Sequence, residues 1–385
     1  MAVPFVDLSP SNARQTSKIE TAIQTVLSHG QFILGPEVSE FEAQLGRFMG
    51  GCEVVSCANG TDALMLSLLA LDIGPGDLVF CPSFTYVATA EAIVRVGAQP
   101  VFVDIDRWTY TMCPDDLAAA IEAHLSSELG KPAAIIAVDL FGQLADYPSL
   151  VPVARRHNLP LISDCAQALG AYLDGEMAPA WADIVTTSFY PTKPLGCFGD
   201  GGAILTHNRA EYLQKLRSLR FHGRVAGTSR HDMIGMNSRL DTLQAAILSV
   251  KLEDYPFEIN RRRLIADVYT EMLGALGVSP PVLALEQDIQ NAPIWSQYTI
   301  EVDDPAAMTE HLAQLQIGSA RYYETPVHLE TPYTGFARSP NGLPNTEAAA
   351  KQVLSLPISA RLSDSAVSEV IAAIEAYASA STDVT

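Results

Sequence analysis

Short apolar runs alternate with helical patterns along the first half of the chain. The runs have the length and apolar character of buried β-strands, and the segments between them show helical periodicity. This alternation predicts an α/β fold with a largely parallel sheet and helices on both faces. Ligands bind to such sheets at the carboxyl ends of the strands. The strands are expected at 53–57, 183–189 and 202–206 and near 77–81, 100–104, 133–139 and 160–164, and the intervening helices near 87–96, 115–124, 148–157 and 165–171.

Further helices are predicted on either side of this alternating region. Beyond about residue 265 the pattern becomes less regular, as expected for a smaller second domain. We therefore predict a large domain at 1–255 and a smaller C-terminal α/β domain at 256–385. The further helices are expected at 9–29, from about residue 37, at 63–71, at 208–220 and from about 237 to about 269, the last with a break at Pro256.

The composition is that of a globular protein with no nucleic-acid surface. The 385 residues are 48% hydrophobic and 18% charged, and 24 Lys and Arg against 44 Asp and Glu give a net charge of −20. No run of five basic residues occurs, which argues against nucleic-acid binding. The longest apolar stretch, 63–71, is about half a membrane span. Because the N-terminus has no signal-peptide pattern, a cytoplasmic protein without a membrane segment is expected.

The cysteines indicate neither disulfides nor a metal site. No two of them form a C-x-x-C pair, and most lie inside apolar runs. Reduced, mostly buried thiols in a cytoplasmic protein are the expected state. The six residues are Cys52, Cys57, Cys81, Cys113, Cys165 and Cys197.

Lys193 lies in a segment unlike the surroundings of any other lysine in this chain. The segment runs from Ser188 to Ala203, between two apolar strands, and contains two prolines and four glycines. Pro and Gly at this density exclude a regular helix or strand, so Lys193 is expected on a fixed, irregular loop. A poorly solvated ammonium has a lowered pKa, and the neutral amine can attack a carbonyl to form a Schiff base. An ordinary loop lysine is the alternative for a lone lysine.

Three further features follow predicted strands. Asn59-Gly60-Thr61 joins a strand to a helix, so backbone N–H groups there could receive a phosphate, with the Thr61 hydroxyl assisting; a plain N-cap is the alternative. Asp164 ends another strand, with Gln167 shortly after, and could pair with a protonated ring nitrogen or cap a helix. Tyr86 offers a flat aromatic surface or simply packs in the core.

Together these residues are the parts that a pyridoxal phosphate (PLP) enzyme needs. Lys193 would hold the aldehyde, and Asp164 would keep the pyridine nitrogen protonated so that the ring accepts electrons. Tyr86 would stack on the ring, while Gly60, Thr61 and Ser188 would hold the phosphate. No single residue is specific for a PLP enzyme, but their order and the Ser188-x-x-x-x-Lys193 spacing make the set a much stronger indication.

The chain resembles the nucleotide-sugar aminotransferases of the DegT/StrS type, which belong to PLP fold-type I. Within that family it looks most like enzymes that aminate C3 of a UDP-linked 3-keto-glucuronic acid sugar. The resemblance covers nearly the whole length and is most specific around Lys193 and Asn237. It is carried by the segments 5–8, 35–37, 58–62, 82–89, 164–167, 188–203 and 235–246.

The resemblance implies a fold and a set of roles. The fold would have a seven-stranded-type, mostly parallel sheet with flanking helices, plus the smaller C-terminal domain. Glutamate would donate the amine to PLP, and the keto sugar would receive it for a surface polysaccharide such as an O-antigen. Lys193 would be the Schiff-base and proton-transfer residue, Asp164 would pair with the pyridinium, and Gln167 would lie beside the ring. Asn237 would reach the phosphate of the neighbouring subunit in a homodimer with shared active sites.

One segment departs from the family pattern and concerns the sugar. Where relatives usually have His-Tyr-Pro, this chain has Tyr322-Tyr323-Glu324, so Tyr323 matches the family tyrosine and Tyr322 replaces the histidine. That region contacts the sugar in relatives. Arg321 and Arg239 are the candidate partners for a sugar carboxylate, because a guanidinium offers two parallel hydrogen bonds.

Other functions remain open from the residues alone. Within the same fold, a sugar dehydratase would have histidine in place of Lys193, and a non-catalytic regulator would tolerate loss of Lys193 or Asp164. A nicotinamide dehydrogenase would need G-x-G-x-x-G after the first strand, which is not found. Amination of a TDP-, GDP- or UDP-linked keto-hexose at C3 or C4 is the alternative within the aminotransferases.

Overall fold

An eight-stranded sheet forms the centre of the computed structural model, which describes residues 2–8, 13–207, 210–278, 280–281 and 290–382. Its strands are β1 (Glu53–Cys57), β2 (Asp77–Pro82), β3 (Gln99–Val103), β4 (Lys131–Val138), β5 (Leu161–Asp164), β6 (Ile184–Ser188), β7 (Gly202–Thr206) and β9 (Ala337–Arg338). The strand order is β1-β7-β6-β5-β4-β2-β3-β9. β7 pairs antiparallel with both β1 and β6, and the other pairs are parallel.

All seven predicted strands of this sheet are present, and the largely parallel α/β architecture is confirmed. The eighth strand, β9, has two residues and adds to the edge of the sheet beside β3. The sheet is covered on both faces, as the continuous apolar strands require. Leu78 and Phe80 of β2 belong to one buried cluster, and Val79 and Cys81 belong to the other, because successive side chains of a strand point to opposite faces.

The helices that cover the sheet lie close to their predicted positions. Asn59 caps the helix that follows β1, and this helix starts at Gly60, three residues before its apolar run. The first predicted residues of two helices, 9–12 and 208–209, lie outside the described residues. The helices of the larger part are α1 (Ala13–His29), α2 (Pro36–Phe48), α3 (Gly60–Ala70), α4 (Ala88–Arg95), α5 (Pro114–His124), α6 (Tyr147–Arg156), α7 (Ala178–Trp181), α8 (Ala210–Leu219) and α9 (Thr242–Gly274).

A third buried cluster lies around a small antiparallel sheet near the C-terminus. α9 contributes Ile259 to the first cluster and Ile265 to the third, so this one helix joins the two cores. The predicted division between residues 255 and 256 falls inside α9 and stays a proposal about domains. The elements of this part are β8 (Tyr298–Glu301), α10 (Pro305–Gln314), α11 (Pro344–Gln352), β10 (Val353–Leu356) and α12 (Asp364–Thr382).

Two local predictions were wrong. The break expected at Pro256 does not occur, because α9 continues through it, with exposed Pro256 flanked by buried Tyr255 and Ile259. The helix expected at 165–171 is a series of turns, in which Ala168 N–H donates to the carbonyl of Cys165 at 3.2 Å and Ala171 N–H donates to that of Ala168 at 2.9 Å. In both places contacts with distant parts of the chain outweigh the local propensity.

All six cysteines are free in the structure, and five of them are buried. Among the described residues, no helix combines the length and the apolar character needed to cross a bilayer.

Candidate active site

A cavity of about 800 Å³ opens at the carboxyl ends of the central parallel strands. This is the edge at which parallel sheets bind ligands. β5 brings Asp164 to the cavity, β6 brings Ser188, and the N-terminus of α3 brings Gly60 and Thr61. The predicted site residues that line the cavity are Gly60, Thr61, Tyr86, Asp164, Gln167, Ser188, Lys193, Tyr322 and Tyr323.

The lysine loop between β6 and β7 is held by its own backbone. Lys193 N–H donates to the carbonyl of Tyr190 at 2.8 Å, and Cys197 N–H donates to that of Phe189 at 2.8 Å. A Cβ built on Gly196 would lie 2.6 Å from the carbonyl oxygen of Pro191, so only glycine fits this close approach. Lys193 is therefore carried on a fixed, irregular loop, as predicted.

Lys193 and Asp164 perturb each other electrostatically in a poorly hydrated environment. Burial lowers the pKa of the Lys193 ammonium below its usual value of 10.5, while the charge of Asp164 acts in the opposite direction. Burial raises the pKa of Asp164, and the hydrogen bond from Thr89 and the charge of Lys193 both counteract this rise. The desolvated amine is thus biased towards its neutral, nucleophilic form.

Thr89 orients the carboxylate of Asp164, a role that the sequence analysis did not identify. Its hydroxyl donates to Asp164 Oδ2 at 3.0 Å and lies 3.0 Å from the hydroxyl of Thr85. The N–H of Ala166 approaches Asp164 Oδ1 at 3.3 Å. Thr89 belongs to the same Ser83–Thr89 segment as Tyr86, but sequence alone does not indicate which distant carboxylate its hydroxyl meets.

The N-terminus of α3 presents backbone N–H groups to the cavity. Asn59 Oδ1 accepts the N–H of Asp62 at 2.8 Å, so Asn59 is the N-cap. Gly60 and Thr61 are the first two residues of the helix, where N–H groups lack intrahelical partners. A Cβ on Gly60 would lie 2.8 Å from Cβ of Ser188, and one on Gly202 would lie 2.4 Å from the carbonyl oxygen of Asn59. The N–H groups, the Thr61 hydroxyl and Ser188 thus form a cradle suited to an anion.

Gln167 connects the cavity to the segment that departs from the family pattern. Its Nε2 donates to the hydroxyl of Tyr323 at 3.0 Å, and its Oε1 accepts the N–H of Phe141 at 2.8 Å. Tyr323 is partly buried, and this burial raises the pKa of its phenol. The amide of Gln167 therefore fixes the position of the Tyr323 hydroxyl in the cavity wall.

This geometry is that of an enzyme site built around a lysine, and sequence comparison identifies the class. The sequence pattern of the DegT/DnrJ/EryC1/StrS aminotransferase family matches residues 13–375. The chain belongs to this family. The family and the aminotransferase activity predicted from the sequence are thereby confirmed.

The aminotransferase has close relatives of known activity and structure. It is 41% identical over 372 residues to the UDP-2-acetamido-2-deoxy-3-oxo-D-glucuronate aminotransferase of Pseudomonas aeruginosa, covering 97% of this chain and 99% of that protein. It is 39% identical over 373 residues to the UDP-N-acetyl-3-dehydro-alpha-D-glucosamine 3-aminotransferase of Acidithiobacillus ferrooxidans, with 97% of each covered. A DegT DnrJ EryC1 StrS aminotransferase from Brucella abortus matches with a TM-score of 0.93 at 42% identity, covering 97% of this chain and 99% of that one.

Three of the predicted site residues of the aminotransferase do not line this cavity. Arg321 forms an ion pair with Glu324 at 2.7 Å and donates to the carbonyl of Ala350 at 3.0 Å. The guanidinium of Arg239 lies 4.9 Å from the centre of the Phe221 ring. The third residue, Asn237, is exposed at the end of the loop 221–237.

The described walls of the cavity fit PLP. The cradle at α3 suits a phosphate, the exposed ring of Tyr86 suits stacking, and the desolvated amine of Lys193 suits an aldehyde. Asp164 is a buried carboxylate at the strand end, where it could pair with a ring nitrogen. The donor set therefore agrees with the cofactor of this aminotransferase family.

Proposed function

We propose that this aminotransferase uses PLP to move an amine from glutamate to C3 of a nucleotide-linked keto sugar, UDP-2-acetamido-3-keto-glucuronic acid. The observation that carries the chemistry is the desolvated Lys193 beside Asp164, in one cavity with the phosphate cradle of Gly60 and Ser188. The sugar rests on the Pseudomonas aeruginosa relative, which is 41% identical and acts on that 3-oxo-glucuronate. A role in surface-polysaccharide synthesis, such as that of lipopolysaccharide, follows from such a sugar.

Each residue of the cavity has a task in this reaction. PLP, when bound, supplies the electron-accepting ring. Lys193 would hold the cofactor aldehyde and would move the proton between the substrate carbon and C4′, as a general acid and base. Asp164, which accepts a hydrogen bond from Thr89, would keep a proton on the ring nitrogen. Gly60, Thr61 and Ser188 would hold the phosphate, and Tyr86 would cover the ring.

A homodimer with shared active sites is part of this proposal. The loop 221–237 is closed by pairing of Phe221 with Asn237, and it exposes Ile234 to 94%. Met233 beside it is exposed as well, and adjacent exposed apolar side chains are expected to be covered by a partner. We expect Asn237 of one subunit to reach the phosphate of the other. The enzyme is expected in the cytoplasm, where nucleotide sugars are made.

The charges of the main cavity agree with a contribution from the second subunit. Its walls carry the carboxylates of Asp62, Glu91, Asp164 and Asp200 against the cations Arg95 and Lys193. A UDP-linked uronate is strongly negative, so additional cations must face it in the assembled site. Arg239 is suited to this task because its guanidinium stacks on the Phe221 ring, a contact that uses none of its hydrogen-bond donors.

A direct assay tests the function. The purified enzyme, reconstituted with PLP, is supplied with L-glutamate and a panel of UDP-, TDP- and GDP-linked 3-keto and 4-keto sugars, and 2-oxoglutarate release is measured. We expect release to depend on the UDP-linked 3-keto uronate and to be absent in Lys193→Ala. Faster 2-oxoglutarate release with a neutral 6-deoxy sugar would reject the proposed substrate. Absence of 2-oxoglutarate release with every sugar would reject the proposed reaction.

A further inference from the structure

A second, smaller cavity lies on the other side of the wall formed by the lysine loop. Its volume is about 290 Å³. It shares Thr192, Lys193, Gln297 and Tyr322 with the main cavity. A group attached where the Lys193 amine reacts is therefore adjacent to both cavities, and nothing in the proposed reaction so far uses the smaller one.

This cavity carries an excess of positive charge, whereas the 800 Å³ main cavity carries an excess of negative charge. Besides Lys193, its walls carry Lys251, Arg262 and Arg361 against the carboxylates of Asp7 and Glu258. Three cations against two carboxylates is an excess of positive charge, in a chain whose net charge is −20. The charges of all three cations counteract the rise in the pKa of Glu258 that burial causes. In the described part of the chain, Lys251 donates to the carbonyl of Gly196 and Arg361 donates to that of Asp7, which leaves further N–H donors on both side chains for a ligand.

The polar atoms around this cavity are incompletely satisfied. Arg262 is only 8% exposed and donates through Nη1 to the carbonyls of Trp295 and Ile358, yet its Nε is buried with no hydrogen-bond partner in the described part of the chain. Gln297 Oε1, in the shared wall, is likewise buried without a partner there. An unpaired buried donor or acceptor costs about 1–3 kcal/mol, so such atoms are usually explained by a bound group.

We propose that this second cavity, lined by Lys251, Arg262 and Arg361, is the subsite for a carboxylate of the dicarboxylate amino donor. This inference rests on the proposed function, in which glutamate supplies the amine. A five-carbon dicarboxylate fits a space of about 290 Å³, whereas a nucleotide sugar requires the larger cavity. Arg361 is the best candidate to bind the carboxylate, because it is half-buried and its guanidinium makes a single hydrogen bond in the described part of the chain, from Nη1 to the carbonyl of Asp7 at 3.3 Å.

Binding of glutarate, a five-carbon dicarboxylate without an amine, tests the subsite independently of turnover. Glutarate and butyrate are titrated into the PLP-loaded enzyme by isothermal calorimetry. We expect glutarate to bind more tightly than butyrate and Arg361→Gln to weaken glutarate roughly tenfold, since one charged partner is lost. Glu258→Gln removes a repelling charge and should strengthen glutarate binding. Arg261→Gln is the matched control, because Arg261 pairs with Asp364 and lines neither cavity.

Measuring the two half-reactions separately shows whether Arg361 acts on the amino donor or on the sugar. With L-glutamate, Arg361→Gln should raise the concentration needed for half-maximal 2-oxoglutarate release by a similar factor. With the aminated cofactor form and the keto sugar, it should behave as the wild-type enzyme does. Two results would overturn the subsite. In the first, Arg361→Gln changes the affinity for glutarate no more than Arg261→Gln does. In the second, Arg361→Gln slows only the half-reaction with the sugar. A wild-type enzyme that releases no 2-oxoglutarate would instead reject the proposed function.

Discussion

Gly60 and Ser188 are in such close contact that a Cβ built on Gly60 would lie 2.8 Å from Cβ of Ser188. The contact joins the first residue of α3 to the last residue of β6, and both line the main cavity. Real Cβ atoms do not approach this closely, so the helix start and the strand end can meet only because residue 60 is glycine. The anion cradle depends on this contact.

Gly60→Ala should therefore impair cofactor binding more than stability. Overpacking of this kind costs about 1–3 kcal/mol and would displace Ser188 from the helix N-terminus. We expect weaker PLP binding in a fluorescence titration and a lower melting temperature. Gly274→Ala is the matched control, since a Cβ at Gly274 would have no heavy atom within 4 Å. Equal PLP affinity in the two variants would show that the cradle does not depend on Gly60.

The capture of PLP by the apoprotein should follow the ionisation of Lys193. Only the neutral amine attacks the aldehyde, and burial lowers the pKa of Lys193 below 10.5. The rate of capture, followed by absorbance, should rise with pH, with a midpoint below pH 10.5. Asp164→Asn removes a charge that raises this pKa, so the midpoint should move to lower pH. Asp200→Asn is the control and should leave the midpoint unchanged; a midpoint that rises in Asp164→Asn contradicts the coupling.

Asp139 should make the folded protein less stable as the pH rises. Burial raises its pKa to about 7, although the hydroxyls of Ser163 and Tyr147 and the N–H of Ala145 donate to the carboxylate. The folded pKa lies above the unfolded value of about 3.9, so the contribution to stability is complete below that value. It is lost as the pH rises through about 7, at up to about 1.4 kcal/mol per pH unit.

Urea unfolding at pH 5 and pH 8 measures this contribution. We expect Asp139→Asn to reduce the difference in unfolding free energy between the two pH values, because the amide does not titrate. Asp303→Asn, at an exposed position, is the control. A pH difference as large in Asp139→Asn as in the wild-type protein would exclude Asp139 as its source.

Arg239 rather than Arg321 should distinguish a uronate from a neutral sugar. Arg321 already pairs with Glu324, whereas the contact of Arg239 is the Phe221 ring. Arg239→Gln should cost about 2 kcal/mol in kcat/KM for the uronate, roughly 30-fold, and far less for the 6-hydroxyl analogue. Arg321→Gln should affect both sugars alike. Equal losses for the charged and neutral sugars in Arg239→Gln would show that Arg239 does not bind a carboxylate.

Two inactive variants should complement each other if the active sites are shared. Lys193→Ala and an inactive Asn237 variant are co-expressed with different tags, and the mixed dimer is purified. One of its two sites then combines an intact Lys193 with an intact Asn237 from the other subunit, so activity should return to about half the wild-type value per dimer. Mixed dimers that remain as inactive as their parents would show that both residues act within one chain.

The sequence by itself determined the local architecture and the identity of the central chemistry. Apolar runs of strand length predicted all seven major strands, because burial on both faces leaves a continuous hydrophobic pattern. The density of Pro and Gly around Lys193 predicted its irregular loop, since those residues restrict the backbone wherever they occur. The positions of Lys193 and Asp164 relative to β6 and β5 could be predicted because they are a local property of the chain.

Only the tertiary structure decided which distant groups meet. Thr89 binds Asp164 across 75 positions, and Gln167 binds Tyr323 across 156. The continuous helix through Pro256 and the turns at 165–171 also depend on packing partners far away in the chain. No periodicity encodes such pairs, because they arise when separate elements pack in three dimensions and satisfy each other's buried polar groups.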